Sequence, residues 1–187
     1  MRLILDNIIF NLQNSGGISV VWYELVSRLL KEGNIDSTFL DDSNTNVFRK
    51  NLNIPSSQIL NHLSILPMSI LRYLNVNLDS DESIFHSSYY RVSNSPKIKN
   101  ITTVHDFTYE LFKKGVPKRI HTLQKTHALN KSDGIICVSE NTKADLLSFH
   151  PKIKESKIKV IHNGCLHVCV SIHLFLRMDF KENIFIS

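Results

Sequence analysis

The chain has 187 residues, an apolar content of 42% and a formal net charge of +5 at neutral pH. This length suits one full-sized α/β domain, and no apolar run reaches the roughly 18 residues of a membrane-spanning helix. An acidic residue within MRLILDNIIF argues against an export signal, and an odd number of cysteines, three, fits a reducing cytosol better than a disulfide framework.

The first 40 residues predict a strand, a glycine turn, a helix and a second strand. LILD (3–6) is apolar almost throughout, as in a covered parallel strand that could run on to Phe10. NSGG (14–17) marks a turn, Gly33 marks a helix C-terminus, and STFL (37–40) marks the second strand. Helical spacing predicts one apolar stripe on the helix between them, formed by Ile18, Val21, Trp22, Leu25 and Leu29.

The remainder of the chain continues the alternation of strands and helices. The predicted strands are 83–88, 100–104, 134–138 and 157–161, and the predicted helices are 57–75 with a break at Pro67, 117–131, and 139–150 with Ser139 as N-cap. This spacing indicates an α/β fold with a Rossmann-like, doubly wound and mostly parallel sheet. Ligands of such sheets bind beyond the carboxyl ends of the strands.

Gly16 and Gly17 follow the first predicted strand and precede a helix. Free backbone amides and the helix dipole at such a position favour an anion such as a diphosphate. A Gly-Gly pair can equally be a plain tight turn, and neither GxGxxG nor GxxxxGK is present to decide between the two interpretations.

His105 and Asp106 directly follow the strand 100–104. A histidine there can hydrogen-bond a polar ligand or transfer a proton, or it can cap the strand end by bonding a backbone carbonyl. Two further segments have similar alternatives. One is the segment Ser139, Glu140 and Asn141, which would either bind a hydroxyl-rich substrate or merely cap a helix. The other is Tyr89, Tyr90 and Arg91, which would form either a stacking surface with a cation or merely an exposed loop.

Four segments together resemble the N-terminal half of a retaining glycosyltransferase of the GT-B fold, in glycosyltransferase family 4, the group 1 type. They are SGGIS (15–19), TVHDF (103–107), DGIICVSENTKADLL (133–147) and KIKVIHNG (157–164), in matching order and spacing. The stretch from FHSSYYR (85–91) to the Asn-Gly pair resembles enzymes of bacterial capsule or lipopolysaccharide synthesis. The resemblance implies a single GT-B half-domain over residues 1–164.

In that family the first domain holds the acceptor, the second binds the nucleotide-sugar, and the reaction usually needs no metal. The resemblance therefore implies no cofactor and no metal ion. Carried over by position, it implies a role for each candidate residue. His105 would be the catalytic residue that contacts the transferred sugar, Gly16 and Gly17 would approach the donor diphosphate, Asp106 would fix the loop, and Ser139 and Asn141 would line the acceptor wall.

Residues 165–187 predict a divergent tail or the start of an interdomain linker, with the second domain and its paired glutamates missing. Cys165, His167 and Cys169 would share one face of a strand and could in principle ligate a metal. No fourth ligand is evident, so we expect no metal there.

The leading hypothesis is the acceptor-side half of an enzyme that moves a sugar from a nucleotide-sugar to a glycan or lipid-linked glycan. We expect the chain to be inactive alone, cytoplasmic, and able to work at the inner face of a membrane. Expected partners are the donor, the acceptor, and either a second copy of the chain or a separate donor-domain chain, but no nucleic acid. The alternative is a non-catalytic module of the same fold that binds a glycan or a protein.

Overall fold

The computed structural model describes residues 2–33, 35–42, 45–60 and 66–163. The chain forms two compact units, Met1–Asn100 and Ile101–Ser187. Each unit combines helices with strands whose described pairings are all parallel, so the chain has the α/β, Rossmann-like fold that its sequence predicts.

The first unit reverses its direction of winding at strand β1. Its elements are β1 (Arg2–Asp6), α1 (Ile9–Leu12), α2 (Gly17–Glu32), β2 (Ser37–Leu40), α3 (Val47–Lys50), β3 (Ile59–Leu60), α4 (Met68–Leu71) and β4 (Ser83–Ser87). The strand order is β3-β2-β1-β4. The chain steps outward from β1 to β3 and then returns to the other side of β1, which is the switch point where such sheets bind ligands.

Strand β1 is apolar on both faces because it lies between two neighbours and is covered. Leu3, Ile4 and Leu5 are all buried. Ile4 belongs to a core cluster with Leu40, Val76, Phe85 and Ile98. Buried parallel strands have such continuous apolar sequences, which explains why LILD was a reliable signal.

Helix α2 follows the predicted pattern with a rotated apolar face. Trp22 and Leu29 are buried as expected, but Ser19 and Val26 are the other buried positions. Ile18, Val21 and Leu25 are only partly buried. Gly33 ends the helix in the left-handed conformation at φ 62°, and its amide donates to the Leu29 carbonyl, as its place in the sequence predicts.

Two sequence-based expectations in this unit were wrong. Strand β1 ends at Asp6, and Phe10 lies in the short helix α1. Of the helix expected over 57–75 with a break at Pro67, the described residues show only the short helix α4 after Pro67. Before the break they hold the end of a 3₁₀ turn (Ser56–Gln58) and strand β3. This segment is rich in Asn and Ser, whose side chains compete with helical hydrogen bonds.

The second unit contains the remaining strands in the order β5-β6-β7. Its elements are β5 (Ile98–Val104, which begins in the first unit), α5 (Thr108–Phe112), α6 (Gly115–Lys131), β6 (Gly134–Cys137), α7 (Glu140–Phe149) and β7 (Ile158–Val160). These bounds confirm every strand and helix predicted after residue 100, and α5 is the addition. The core consists of Val104, Phe107, Leu129, Ile135, Cys137 and Leu146. No helix in the described ranges is both long and apolar enough to cross a membrane.

Candidate functional site

Asp6 closes strand β1 at the switch point of the first unit. It pairs in register with Ser87 at the end of β4, so the carboxyl ends of the two strands are level. Its buried carboxylate lies 3.4 Å from the Arg91 guanidinium and accepts a 2.8 Å hydrogen bond from the Ser87 hydroxyl. Its carbonyl accepts from the Ser88 amide and hydroxyl. A buried charge is tolerated only when it is paired in this way.

Asn7, the next residue, joins this strand end to helix α2. The Trp22 indole donates a 2.7 Å hydrogen bond to the Asn7 side-chain oxygen, and the Trp22 ring meets the His86 ring edge-on at 5.0 Å. Asn7 is 1% exposed, and its amide nitrogen has no hydrogen-bond partner among the described residues. A buried donor left in this state costs about 1–3 kcal/mol, which a water or ligand acceptor would offset.

The segment 89–91 is neither a stacking surface with an available cation nor a merely exposed loop, the two interpretations that its sequence allows. Arg91 is buried against Asp6 and is therefore not a cation on an exposed loop. The Tyr89 hydroxyl accepts a 2.7 Å hydrogen bond from Arg72, so this ring is engaged as well. An aspartate at the end of the apolar run LILD was the signal that could have found the cluster.

Gly16 and Gly17 lie at the start of α2, where the N-cap makes no side-chain hydrogen bond. Gly16 has an extended backbone at φ 171°, which any residue adopts, and the atoms nearest to a Cβ there would belong to the flexible Gln13 side chain. A Cβ on Gly17 would meet no atom within 4 Å. Glycine at position 17 is therefore not required by local packing.

The loop after β5 is held from several directions. The Thr142 hydroxyl donates to the His105 carbonyl at 3.4 Å, and the Thr108 amide donates to the Asp106 carboxylate at 2.8 Å. The Lys125 ammonium donates to the Asp106 carbonyl at 2.9 Å. Asp106 thus fixes the loop through both its side chain and its backbone.

The His105 imidazole makes no hydrogen bond with any residue of the described ranges, whereas its backbone carbonyl does. Burial lowers the pKa of His105, and the nearby Asp106 carboxylate opposes that shift only in part. The ring is therefore neutral at neutral pH, with one nitrogen able to donate and the other to accept.

Lys125 is a supporting residue that sequence reasoning missed. It is 1% exposed, and its ammonium lies 2.9 Å from the Glu110 carboxylate and 4.3 Å from the centre of the Phe107 ring. Burial lowers the pKa of Lys125, while Glu110 and Asp106 act in the opposite direction. No local pattern reveals this pair, because one lysine among several in helix α6 looks like a surface residue.

Ser139 is the N-cap of helix α7, as predicted. Its hydroxyl accepts from the Thr142 amide at 3.1 Å and lies 2.9 Å from the Thr142 hydroxyl. Asn141, in the first turn, is exposed. Since Thr142 also contacts His105, the structure brings the loops after β5 and β6 together, as expected for the carboxyl ends of neighbouring parallel strands.

No group of three or more His, Cys, Asp or Glu side chains is placed to hold a metal ion in the described part of the chain. Gly164 and the Cys165, His167 and Cys169 set lie outside the described residues. Cys137 is buried, and burial raises the pKa of its thiol to about 12, so it is not a nucleophile at neutral pH.

Comparison with known proteins places this arrangement in a family. No curated protein matches the chain. The family model described as Glycosyltransferase Family 4 matches residues 15–165, which include every site residue proposed from the sequence. This range is most of the chain, and it agrees with the parallel Rossmann-like fold. The chain belongs to glycosyltransferase family 4.

Proposed function

We propose that residues 1–164 form the acceptor-side half of a retaining glycosyltransferase. The whole reaction moves a sugar from a nucleotide-sugar to a hydroxyl of a glycan or lipid-linked glycan, of the kind made in bacterial polysaccharide synthesis. The observation that supports this most is the His105 loop, where a neutral imidazole follows a parallel strand and the backbone carbonyls of His105 and Asp106 are held by Thr142 and Lys125.

His105 is the catalytic candidate because its ring can hydrogen-bond a sugar hydroxyl without carrying a charge. Hydrogen bonds to the loop backbone fix the position from which the ring projects before substrate arrives. Hydrogen-bonding groups that are already oriented usually contribute more to such catalysis than any other effect. Asp106 contributes by fixing the loop.

The other candidates supply binding. The amides of Gly16 and Gly17 approach the donor diphosphate, which suits the uncapped start of a sixteen-residue helix. Asn141 is exposed and can hydrogen-bond the acceptor. The Ser139 hydroxyl already accepts a hydrogen bond from the Thr142 amide, and it would bind the acceptor through its remaining lone pair or its proton.

The resemblance also implies that most donor-binding groups, including paired glutamates, belong to a second domain. We therefore propose that these 187 residues transfer no sugar by themselves and act together with a donor-binding domain. Removal of even one stabilising hydrogen-bond donor can cost on the order of a hundredfold in rate. The absence of all the donor-binding groups of the second domain therefore abolishes turnover.

The test incubates the full chain with a panel of nucleotide-sugars and lipid-linked or free glycan acceptors, and measures nucleotide release and glycan binding. We expect weak glycan binding that the Asn141→Ala variant reduces, and no release above background. Release by the chain alone that disappears in the His105→Ala variant would contradict the proposed inactivity. Glycan binding that persists with no release after a family donor domain is added would favour the non-catalytic module.

A further inference from the structure

The loop before helix α2 is held by a neighbouring segment that follows strand β2. The Asn46 side-chain amide donates a 2.7 Å hydrogen bond to the Gln13 carbonyl. The Val47 amide donates to the Asn14 carbonyl at 3.1 Å, and the Thr45 hydroxyl donates to the Asn14 side-chain oxygen at 3.1 Å. Three consecutive residues thus hold two consecutive residues of the loop, in an arrangement that is here called the clamp.

Asn46 is the centre of the clamp. It is fully buried, and its side-chain oxygen accepts hydrogen bonds from the Phe48 amide at 2.8 Å and the Arg49 amide at 3.1 Å, as the N-cap of helix α3. One carboxamide therefore satisfies both the first turn of α3 and a carbonyl of the loop before α2. This double use needs an acceptor and a donor on one short side chain, and asparagine has both.

The segment that carries the clamp is anchored to the rest of the first unit. The Arg49 guanidinium bonds the buried Asp41 carboxylate, which directly follows strand β2, and donates to the Leu52 carbonyl at 3.0 Å. The Phe48 ring lies 5.9 Å from the Tyr23 ring of helix α2. Because the segment is tied to both β2 and α2, it can fix the loop that it contacts.

The clamped residue Gln13 in turn meets Gly16. A Cβ on Gly16 would come too close to the Gln13 side-chain amide, so this amide lies against the bare Cα of the glycine. The start of α2 has no side-chain cap, and the first amides of a sixteen-residue helix favour an anion. A shift of the loop would therefore change where these amides point.

We propose that Asn46 is a positioning residue for diphosphate binding at Gly16 and Gly17. It acts through the Gln13 carbonyl rather than by contact with the ligand. Capping of α3 needs only the side-chain oxygen of Asn46, whereas its nitrogen donates to the loop, so capping alone does not account for the arrangement. This inference rests on the proposed function, in which the two glycines approach the donor diphosphate.

The test compares the unchanged 187-residue chain with two variants of the clamp. Asn46→Ser keeps a good N-cap for α3, because serine caps helices about as well as asparagine, but its side chain is too short to reach the Gln13 carbonyl. Thr45→Val removes only an exposed hydrogen bond to Asn14, so it decides the question if Asn46→Ser fails to fold.

The matched control is Asn100→Ser, because Asn100 is also a buried asparagine of the first unit. Its carboxamide likewise accepts a hydrogen bond from a backbone amide and donates to a backbone carbonyl, those of Ser93, at 2.7 Å and 3.1 Å. The control therefore makes the same chemical change at a different loop. Circular dichroism checks that every variant is folded.

NMR follows the backbone amides of Gly16 and Gly17 with and without inorganic pyrophosphate. Without ligand, we expect Asn46→Ser to lower the heteronuclear NOE of both amides, because the loop moves more. With pyrophosphate, the Kd read from their chemical shifts should rise about threefold to tenfold, the factor set by one net hydrogen bond that favours the binding conformation. Thr45→Val should act in the same direction by less, and Asn100→Ser should change neither quantity.

An unchanged NOE or an unchanged Kd in Asn46→Ser would overturn the inference, and so would equal changes in Asn100→Ser. The proposed function fails in a different way. If pyrophosphate shifts neither Gly16 nor Gly17 in the unchanged chain, the proposed diphosphate role is contradicted and so is the role of Asn46 in binding. A fall in the NOE of Asn46→Ser would then support only the clamp itself.

Discussion

Lys125 shows how a single buried charge can hold a functional loop. Its ammonium bonds both the Glu110 carboxylate and the Asp106 carbonyl, each at 2.9 Å, and lies over the Phe107 ring. Such a pair adds little net stability when intact, since desolvation cancels much of the attraction. Removal of one partner is costly, however, because the other stays charged and buried.

The Lys125→Met variant should therefore lose about 3–5 kcal/mol in free energy of unfolding, measured by urea denaturation. The Lys125→Met, Glu110→Leu double variant should recover much of that loss, because no unpaired carboxylate is left in the interior. Lys143→Met, which removes a solvent-accessible pair with Glu155, serves as the control and should change little. Equal losses in the two single lysine variants would show that burial of Lys125 carries no special cost.

Gly17 allows stability and ligand binding to be separated at one position. Nothing lies within 4 Å of a Cβ placed there, and the residue is the first of helix α2. We expect Gly17→Ala to leave the unfolding midpoint unchanged or slightly raised, because alanine has the better helix propensity. The same variant should weaken binding of nucleoside diphosphates, as followed by amide chemical shifts in NMR. Unchanged diphosphate binding would argue that the pair Gly16–Gly17 is only a turn.

At the scale of elements, local pattern was sufficient wherever an apolar run or a cap was strong. GIICV and LILD are strands because they are buried on both faces, and Ser139 is a cap because its hydroxyl accepts the Thr142 amide. Helix α5 was missed because five residues show no helical period. The burial of Arg91 was also missed, since its partner Asp6 is 85 residues away and no local pattern encodes such a contact.

The cap of α7 offers a test of how an element supports the site. Ser139→Ala removes the acceptor of the Thr142 amide and should cost about 1 kcal/mol, measured by chemical denaturation. Ser139→Asp should retain the cap. Ser148→Ala, at an exposed position of the same helix, is the control and should be neutral or slightly stabilising. A cost at Ser148 equal to that at Ser139 would contradict the capping role.

At the scale of the whole molecule, two partly buried histidines make stability depend on pH. Burial lowers the pKa of both His105 and His150. Below their ordinary pKa of about 6.5 the unfolded chain therefore binds more protons than the folded chain. Stability should fall as the pH is lowered through that value toward the pKa values of the folded state.

Urea midpoints measured between about pH 8 and pH 5.5 should decline on the acidic side, above the range where carboxylates titrate. The His105→Gln, His150→Gln variant should flatten this decline. His162→Gln, at an exposed histidine, is the control and should leave the slope unchanged. A slope that is the same in all three proteins would assign the pH dependence to other groups.

The reactivity of the buried Cys137 thiol can report local opening of the core of the second unit. Only the thiolate reacts with alkylating reagents, and a pKa of about 12 leaves almost none of it while β6 stays packed. In a chain with Cys165 and Cys169 replaced by serine, the alkylation rate would therefore measure how often the core around β6 opens. Lys125→Met should accelerate this labelling, since it weakens the same unit.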